Sequence, residues 1–205
     1  MNKIEKRLAG AGYIPVNIDY PSRRHSIEYL ADRILQAVLK NFRKTPETRI
    51  HFVTHSLGGI IVRYYLKHHR LSNLGRVVML GPPNQGSEIV DLLEESVILH
   101  MLHGPALKQL STVDQFLRSL GPVGFELGVI AGIRPLNPLE ARLIPGPSDG
   151  KVSVERAKVE GMTDFLVVPH SHTFIMRRKA VIDQVIHFLR HGAFKHAPSK
   201  RETDG

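Results

Sequence analysis

Apolar residues follow two different spacings along the chain, and the change from one spacing to the other predicts its secondary structure. Compact apolar runs rich in β-branched residues are typical of strands, and apolar positions three or four residues apart are typical of helices. The predicted strands are 13–19, 49–54, 76–80, 125–131 and 165–168. The predicted helices are 3–11, a helix that Ser26 caps and that runs to about residue 39, 57–69, 88–93 and 179–190, with one or two short helices within 97–120.

Strands and helices therefore alternate, which predicts an α/β protein with a mainly parallel central sheet flanked by helices. Residues 1–190 are expected to form a single domain, within which about 96–147 forms a small helical cap. The alternative for the helices of 97–120 is that they simply cover one face of the sheet. Residues 191–205 contain glycine, proline and mixed charges and are predicted to be a flexible tail.

Composition narrows the class of protein. The 205 residues are 42% hydrophobic and 23% charged, which is typical of one globular domain. The absence of cysteine excludes disulfides, thiol catalysis and zinc–thiolate sites. No apolar run approaches the ~18 residues that a membrane-spanning helix needs, and the first residues do not resemble a signal peptide. These features favour a soluble cytoplasmic protein.

The net charge of +9 raises the question of an anionic partner. Basic residues outnumber acidic ones by 13 to 5 in 1–70 and by 10 to 6 in 151–205, whereas acidic residues lead by 8 to 5 in 71–150. No nucleic-acid-binding motif accompanies this scattered charge, so we expect a solvated basic surface and no nucleic-acid partner. Peripheral contact with an anionic lipid surface stays open as an alternative.

Histidines occur in close pairs at 68–69, 100–103 and 170–172, but no carboxylate cluster or cysteine accompanies them. Such pairs are more often solvated side chains than metal ligands. The sequence therefore predicts no bound metal and no cofactor.

A serine stands at a position suited to nucleophilic chemistry. The strand 49–54 leads directly into His55-Ser56-Leu57-Gly58-Gly59 and then into a helix. A tight turn between strand and helix exposes the Ser56 hydroxyl beside the unpaired N–H groups of the helix N-terminus. The alternative is that Ser56 only caps the helix.

An acid and a base follow at later strand exits. Asp149 lies in the turn Pro147-Ser148-Asp149-Gly150, and His172 lies in the loop that leaves the strand 165–168. The carboxyl ends of parallel strands meet at one edge of a sheet, where active sites gather. His170 is the alternative base. The alternative acids are Asp164, Glu155 and Glu160.

These motifs resemble those of the α/β-hydrolase superfamily. Thr54-His55-Ser56-Leu57-Gly58 is similar to its G-x-S-x-G turn, with threonine in place of the first glycine. Gly81-Pro82-Pro83-Asn84-Gln85-Gly86-Ser87, Tyr20-Pro21-Ser22 and Ser171-His172-Thr173-Phe174 are similar to segments of lipase-like bacterial serine esterases. The resemblance extends over about residues 13–190.

The resemblance implies a serine hydrolase that cleaves carboxylic esters through an acyl-enzyme. Ser56 would be the nucleophile, His172 its base, and Asp149 the group that orients the imidazole. The backbone amide of Leu57 would donate to the oxyanion. A lipid or small hydrophobic ester is the expected substrate, with an acyl pocket shaped by 97–120.

One element of the family pattern is not found upstream of Ser56, namely a strand that exits into a His-Gly loop and supplies the second oxyanion donor. By resemblance, that strand would lie in the sheet between 13–18 and 50–54, so the chain resembles an α/β-hydrolase without its N-terminal strand. The alternative function is accordingly a catalytically weak or inactive module that binds a ligand or partner.

Overall fold

The computed structural model describes residues 1–42, 48–94 and 104–197. Its central sheet has four parallel strands in the order of the chain. They are β1 (Ile50–His55), β2 (Leu74–Leu80), β3 (Leu127–Gly132) and β4 (Asp164–Val168). The predicted parallel sheet is confirmed, and four of the five predicted strands lie within a few residues of their expected places.

Helices connect and flank the strands. They are α1 (Asn2–Gly10), α2 (Ile27–Tyr29) continued by a π-helical stretch (Leu30–Leu35) and α3 (Gln36–Lys40), α4 (Leu57–His68), α5 (Glu88–Glu94), α6 (Pro105–Lys108), α7 (Gln115–Ser119), α8 (Pro138–Leu143), α9 (Val154–Ala157), a 3₁₀ turn (Ile175–Arg177) and α10 (Lys179–His191). The Ser26 side chain accepts from the N–H of Tyr29, which confirms the predicted cap.

The sheet is covered on both faces, as expected for parallel strands rich in valine, leucine and isoleucine. On one face, Val77 and Met79 of β2 pack with the helices from α2 to α4. On the other face, Val78 and Leu80 pack with α1 and α10. Successive side chains of a strand point to opposite faces of the sheet. Because both faces are covered, all four of these side chains are fully buried.

The strand predicted at 13–19 is wrong. Residues 13–20 have no regular secondary structure, and among the described residues β1 pairs with β2 alone. Ile14 and Val16 are 90% and 51% exposed, so the apolar side chains that suggested a strand are not packed as strand residues. Pro15 also lacks the N–H that a strand ladder uses.

The range 96–147, expected as a helical cap, contains β3 of the central sheet together with the short helices α6, α7 and α8. Residues 96–103 of the predicted cap lie outside the described residues, so the division into domain and cap stays a prediction. In the predicted tail, Phe194 is buried and its N–H donates to the Asp164 carboxylate at 2.7 Å. No helix in the described part of the chain is long and apolar enough to cross a membrane.

Candidate active site

Ser56 is the single residue between β1 and α4, and its backbone is strained. Its φ of 53° and ψ of −127° make it the only described non-glycine residue with positive φ. Such a conformation costs on the order of 1–3 kcal/mol and persists where the surroundings force it. Here α4 packs close to the sheet, since a β-carbon at Gly59 would lie 3.1 Å from the Met79 sulfur.

The N-terminal turn of α4 places backbone donors near Ser56. The Ser56 side chain makes no capping hydrogen bond to α4, which excludes the alternative that its hydroxyl serves as the helix cap. Because the first N–H groups of a helix have no partner within it, the backbone N–H of Leu57 is left beside the serine without an intrahelical acceptor. The positive end of the helix dipole adds to this local field.

Asp149 and His172 are brought together by the loops that follow β3 and β4. His172 Nδ1 lies 2.8 Å from Asp149 Oδ2, and the His172 backbone N–H donates to the Asp149 carbonyl at 2.9 Å. The Asp149 side chain is 1% exposed. Its other oxygen, Oδ1, accepts from the N–H groups of Lys151 and Val152, each at 2.9 Å. The carboxylate is thus fixed on both oxygens, with one of them turned toward the imidazole.

The segment after β2 forms hydrogen bonds with the loop that carries Asp149 and with the helix that follows it. Ser87 Oγ donates to the Lys151 carbonyl at 2.6 Å. Arg156 Nε donates to Glu88 Oε1 at 2.7 Å, and the same oxygen lies 3.1 Å from Ser153 Oγ. The Gly86-Ser87 motif therefore supports the acid loop, a contact that spans more than sixty residues and that the local sequence does not indicate.

His55 contacts His172, the other member of the pair. Its Nε2–H donates to the His172 carbonyl at 2.9 Å, and the two rings lie 4.7 Å apart between centroids. Burial, and secondarily the neighbouring His172, lower the pKa of His55 to about 4. A neutral imidazole with a donating Nε2–H suits this contact, so His55 is a polar neighbour of the turn that positions the loop of His172.

Gly81 follows β2 and has a φ of 53°, and the sequence identified it only as part of a lipase-like segment, without its contact to the acid–base pair. A β-carbon there would lie 2.8 Å from Asp149 Oδ2 and 3.1 Å from His172 Nδ1. The acid–base pair therefore packs directly on the glycine backbone. The available signal was a glycine at the end of the strand that neighbours the Ser56 strand, where parallel strands bring their exits together.

The alternative acids and the alternative base have other contacts than this pair. Asp164 is held by the Phe194 N–H and by His196, and Glu155 pairs with Lys158. The backbone carbonyl of Glu160 accepts from the Val123 N–H, away from the acid loop. The His170 ring faces Arg178 and Arg134, and burial together with these two cations lowers its pKa.

No group of three or more histidine, cysteine or acidic side chains in the described ranges is placed to hold a metal ion. Of the paired histidines, His69 Nε2 lies 2.8 Å from Asp32, and His68 packs on the Tyr64 ring. His100 and His103 lie outside the described residues. The absence of a metal and of a cofactor stays a prediction.

An apolar groove of about 970 Å³ reaches residues on both sides of Ser56 in the chain, but its lining includes none of Ser56, Asp149 and His172. It runs along the edge of β1 that pairs with no described strand, between the segment 12–22 and the π-helical stretch with α3, and reaches Thr54, His55 and Gly58. The Tyr20 hydroxyl oxygen would lie 3.2 Å from a β-carbon at Gly58. Burial, and secondarily Asp19, raise the pKa of Tyr20 to about 12, so its phenol stays protonated. None of the described residues of 97–120 lines this groove.

Comparison with solved structures decides the fold. The mature form of the Bacillus licheniformis lipase BlEst2 superposes with a TM-score of 0.65 at 21% identity, over 83% of this chain and 76% of that one. The chain has the α/β-hydrolase fold. Phospholipase PlaB from Legionella pneumophila is similar at a TM-score of 0.71 and 16% identity, over 93% of this chain and 55% of that one. The metagenomic carboxyl esterase MGS0156 is similar at 0.56 and 20%, over 76% and 54%.

The sequence itself matches a family described as "Putative serine esterase (DUF676)" over residues 21–84. The match includes Ser56 and ends before Asp149 and His172. A comparison with curated proteins gives no match. The chain spans only about half the length of PlaB and of MGS0156. The resemblance to lipases and serine esterases is confirmed.

Proposed function

We propose that the protein is a serine hydrolase of carboxylic esters, with Ser56 as nucleophile, His172 as base and Asp149 as the residue that orients it. The observation that carries this proposal is the 2.8 Å contact between His172 Nδ1 and Asp149 Oδ2, together with the strained backbone of Ser56, whose chain neighbour His55 donates to the His172 carbonyl. A serine hydroxyl is a weak nucleophile until a positioned base removes its proton. The likeness to lipases and esterases supports the same chemistry.

In the first half of the reaction, Ser56 Oγ attacks the ester carbonyl carbon while His172 Nε2 accepts the hydroxyl proton. The carbonyl π electrons move to oxygen, and the tetrahedral intermediate collapses as His172 protonates the departing alkoxide. Asp149 holds the Nδ1–H tautomer and stabilises the imidazolium. In the second half, water attacks the acyl-enzyme, with His172 again taking and returning the proton.

The negative charge of each tetrahedral intermediate needs preorganised donors. The Leu57 N–H at the start of α4 supplies one of them, since it lies directly after the nucleophile. We assign no second donor, because no His-Gly strand exit precedes Ser56. Losing one such donor costs about 10²–10³ in rate. We therefore expect the chain to be acylated readily by reactive probes and to turn over esters slowly.

The groove that reaches Thr54, His55 and Gly58 indicates the substrate class. Its volume of about 970 Å³ lies near the upper end of the range for small-molecule sites, and its lining is mainly apolar. Ile18 and Ile61, together with Tyr20, line the groove toward Gly58. A lipid or other hydrophobic ester, with its acyl chain along β1, fits this lining better than a charged substrate. This placement replaces 97–120 as the proposed acyl pocket.

The test is labelling of the purified chain with a fluorophosphonate, read by intact mass. Ser56 Oγ would displace fluoride from phosphorus, so one adduct is expected on the wild type and none on Ser56→Ala. His172→Ala should also abolish labelling, whereas His170→Ala should retain most of it. Circular dichroism of each variant checks that the fold is kept.

Three outcomes would change the assignment. An adduct that persists on Ser56→Ala would place the nucleophile elsewhere. A folded wild-type chain that does not react would favour the alternative function, an α/β-hydrolase fold that binds a ligand without cleaving it. Loss of labelling on His170→Ala alone would exchange the two histidines as base.

A further inference from the structure

The chain between β3 and the Asp149 loop exposes an unusual number of large apolar side chains. Among the described residues, four of the ten exposed large hydrophobic side chains fall within 133–143. Their exposed fractions are 39% for Ile133, 48% for Leu136, 67% for Leu139 and 38% for Leu143. We call these four residues the apolar patch. A helix of a globular protein normally buries an apolar stripe, yet α8 buries no residue.

The patch is held in a defined conformation. The Asn137 side chain accepts from the Glu140 N–H at 2.9 Å, and Glu140 Oε2 accepts from the Leu136 N–H at 3.0 Å. Pro138 starts the helix with a preset φ. Leu139 and Leu143 are four residues apart and so share one side of α8. The leucines are therefore presented outward by a capped turn.

Basic residues surround the patch. Arg134 and Arg142 lie within the same segment and are exposed, and neither forms an ion pair with any described residue. The acidic residue of the segment, Glu140, is paired with Lys151 at 3.5 Å. The rim of the patch therefore carries a net positive charge.

The patch lies on the same side of the molecule as the Asp149–His172 pair. The Arg134 N–H donates to the His170 carbonyl at 3.4 Å. A β-carbon at Gly150 would lie 2.4 Å from Glu140 Oε2 and 3.3 Å from the α-carbon of Pro135. Whatever covers the patch is therefore held next to the loops that carry the acid and the base.

We propose that residues 133–143 dock on the surface of an anionic lipid bilayer. Exposed leucines beside arginines are the composition that lies in the interface of a membrane, where apolar side chains enter the acyl boundary and cations contact phosphate groups. The charge of the rim selects an anionic surface. This docking does not depend on catalysis, but with the proposed function it brings the loop of Asp149 to the surface where lipid esters are found.

The experiment is cosedimentation of the 205-residue Ser56→Ala protein with sucrose-loaded vesicles, so that no ester is consumed during binding. Vesicles of phosphatidylcholine alone are compared with vesicles containing about a third phosphatidylglycerol, at low and at high salt. Binding is expected only to the anionic vesicles and should weaken with salt. Arg134→Gln with Arg142→Gln should lower the partition coefficient by about 25-fold, at about fivefold per arginine. Leu139→Ser should lower it by about tenfold.

Two matched variants separate docking from general adsorption of a protein with a +9 charge. Val113→Ser removes an apolar side chain that is 76% exposed, lies between α6 and α7, and lines neither the patch nor the groove. Arg118→Gln removes an exposed cation from α7. Both should bind like the parent.

Three results would overturn the proposal. The first is equal loss of binding on Arg118→Gln and on the paired arginine variant. The second is binding that Leu139→Ser leaves unchanged. The third is a dimer in sedimentation velocity that Leu139→Ser dissociates without vesicles, because the patch would then be covered by a second copy. None of these results bears on whether Ser56 is nucleophilic.

Discussion

The Asp149–His172 pair and the segment 133–143 are neighbours, but they differ in what they bury. The first places polar groups in the interior, and the second places apolar groups in solvent. Asp149 and His172 are polar groups placed in the interior, and each is fixed by several hydrogen bonds. The segment 133–143 carries leucines placed in solvent, and its turn is fixed by the Asn137 cap and by the contact of Glu140 with the Leu136 N–H. Burial makes the first region intolerant of change and exposure makes the second tolerant. This difference separates the residues that would do chemistry from those that would meet a surface.

The largest effect should come from breaking the acid–base contact without disturbing its packing. Asp149→Asn keeps the shape of the side chain but favours the wrong imidazole tautomer, because an amide can donate to Nδ1. Removing an equivalent carboxylate elsewhere costs about 10⁴ in kcat. We expect ester hydrolysis to fall by about 10³–10⁴-fold, measured with a chromogenic ester.

Asp114→Asn is the matched control for that substitution. Asp114 is an acid that caps α7 through the Phe116 N–H, and asparagine is an equally good cap. It should leave the hydrolysis rate unchanged. Activity that survives Asp149→Asn within tenfold would remove Asp149 from the proposed triad.

The next effect tests how tightly the buried region is packed. Gly81→Ala adds a β-carbon 2.8 Å from Asp149 Oδ2 at a position whose φ of 53° already disfavours a side chain. We expect a loss of about 3 kcal/mol in the free energy of unfolding, together with reduced fluorophosphonate labelling. Urea denaturation measures the first and intact mass the second.

Gly121→Ala provides the comparison, since Gly121 has a φ of 66° but a β-carbon added there would meet no atom within 4 Å. It should lose only the backbone contribution of about 1 kcal/mol and keep full labelling. Equal losses for the two variants would mean that backbone strain alone, and no clash with the acid–base pair, determines the effect at Gly81.

The sequence predicts the elements around the site better than the contacts between them. β1, α4 and the loop of His172 follow from local patterns, because strand, turn and helix signals are short-range. The contacts of Gly81 and Ser87 with the acid loop join segments more than sixty residues apart, so they depend on which strands become neighbours.

The wrong prediction of a strand at 13–19 also arose because a local pattern does not show which segments become neighbours. Apolar residues such as Ile14 and Val16 favour extended backbone, but a strand also needs an adjacent edge to pair with. Residues 13–20 and β1 lie on either side of the apolar groove. A local pattern carries no information about that separation.

A third effect is a dependence of the free energy of unfolding on pH, which we expect from the buried His55. The pKa of His55 is lowered to about 4 in the folded chain from an ordinary 6.5. Between these values the unfolded chain binds a proton that the folded chain excludes, so the stability that His55 contributes is present above pH 6.5 and is lost as the pH falls toward 4. The loss should be about 3 kcal/mol.

Urea denaturation from pH 7 to pH 4 measures this dependence. His55→Gln retains a side-chain donor for the His172 carbonyl but does not titrate, so its stability should fall less steeply with acid. His68→Gln, at an exposed position in α4, should follow the wild-type curve. An unchanged slope for His55→Gln would mean that another group governs the acid response.

The smallest effect on the free energy of unfolding should come from a substitution in the exposed segment 133–143. Leu139 is 67% exposed and Ile144, one residue beyond α8, is 1% exposed. Leu139→Ala removes side-chain atoms that already contact water, so the free energy of unfolding should change by less than about 0.5 kcal/mol. Ile144→Ala leaves a cavity and should cost about 2–4 kcal/mol. Equal stability losses in urea would mean that Leu139 is covered within the folded chain, and the leucines of 133–143 would then belong to its core.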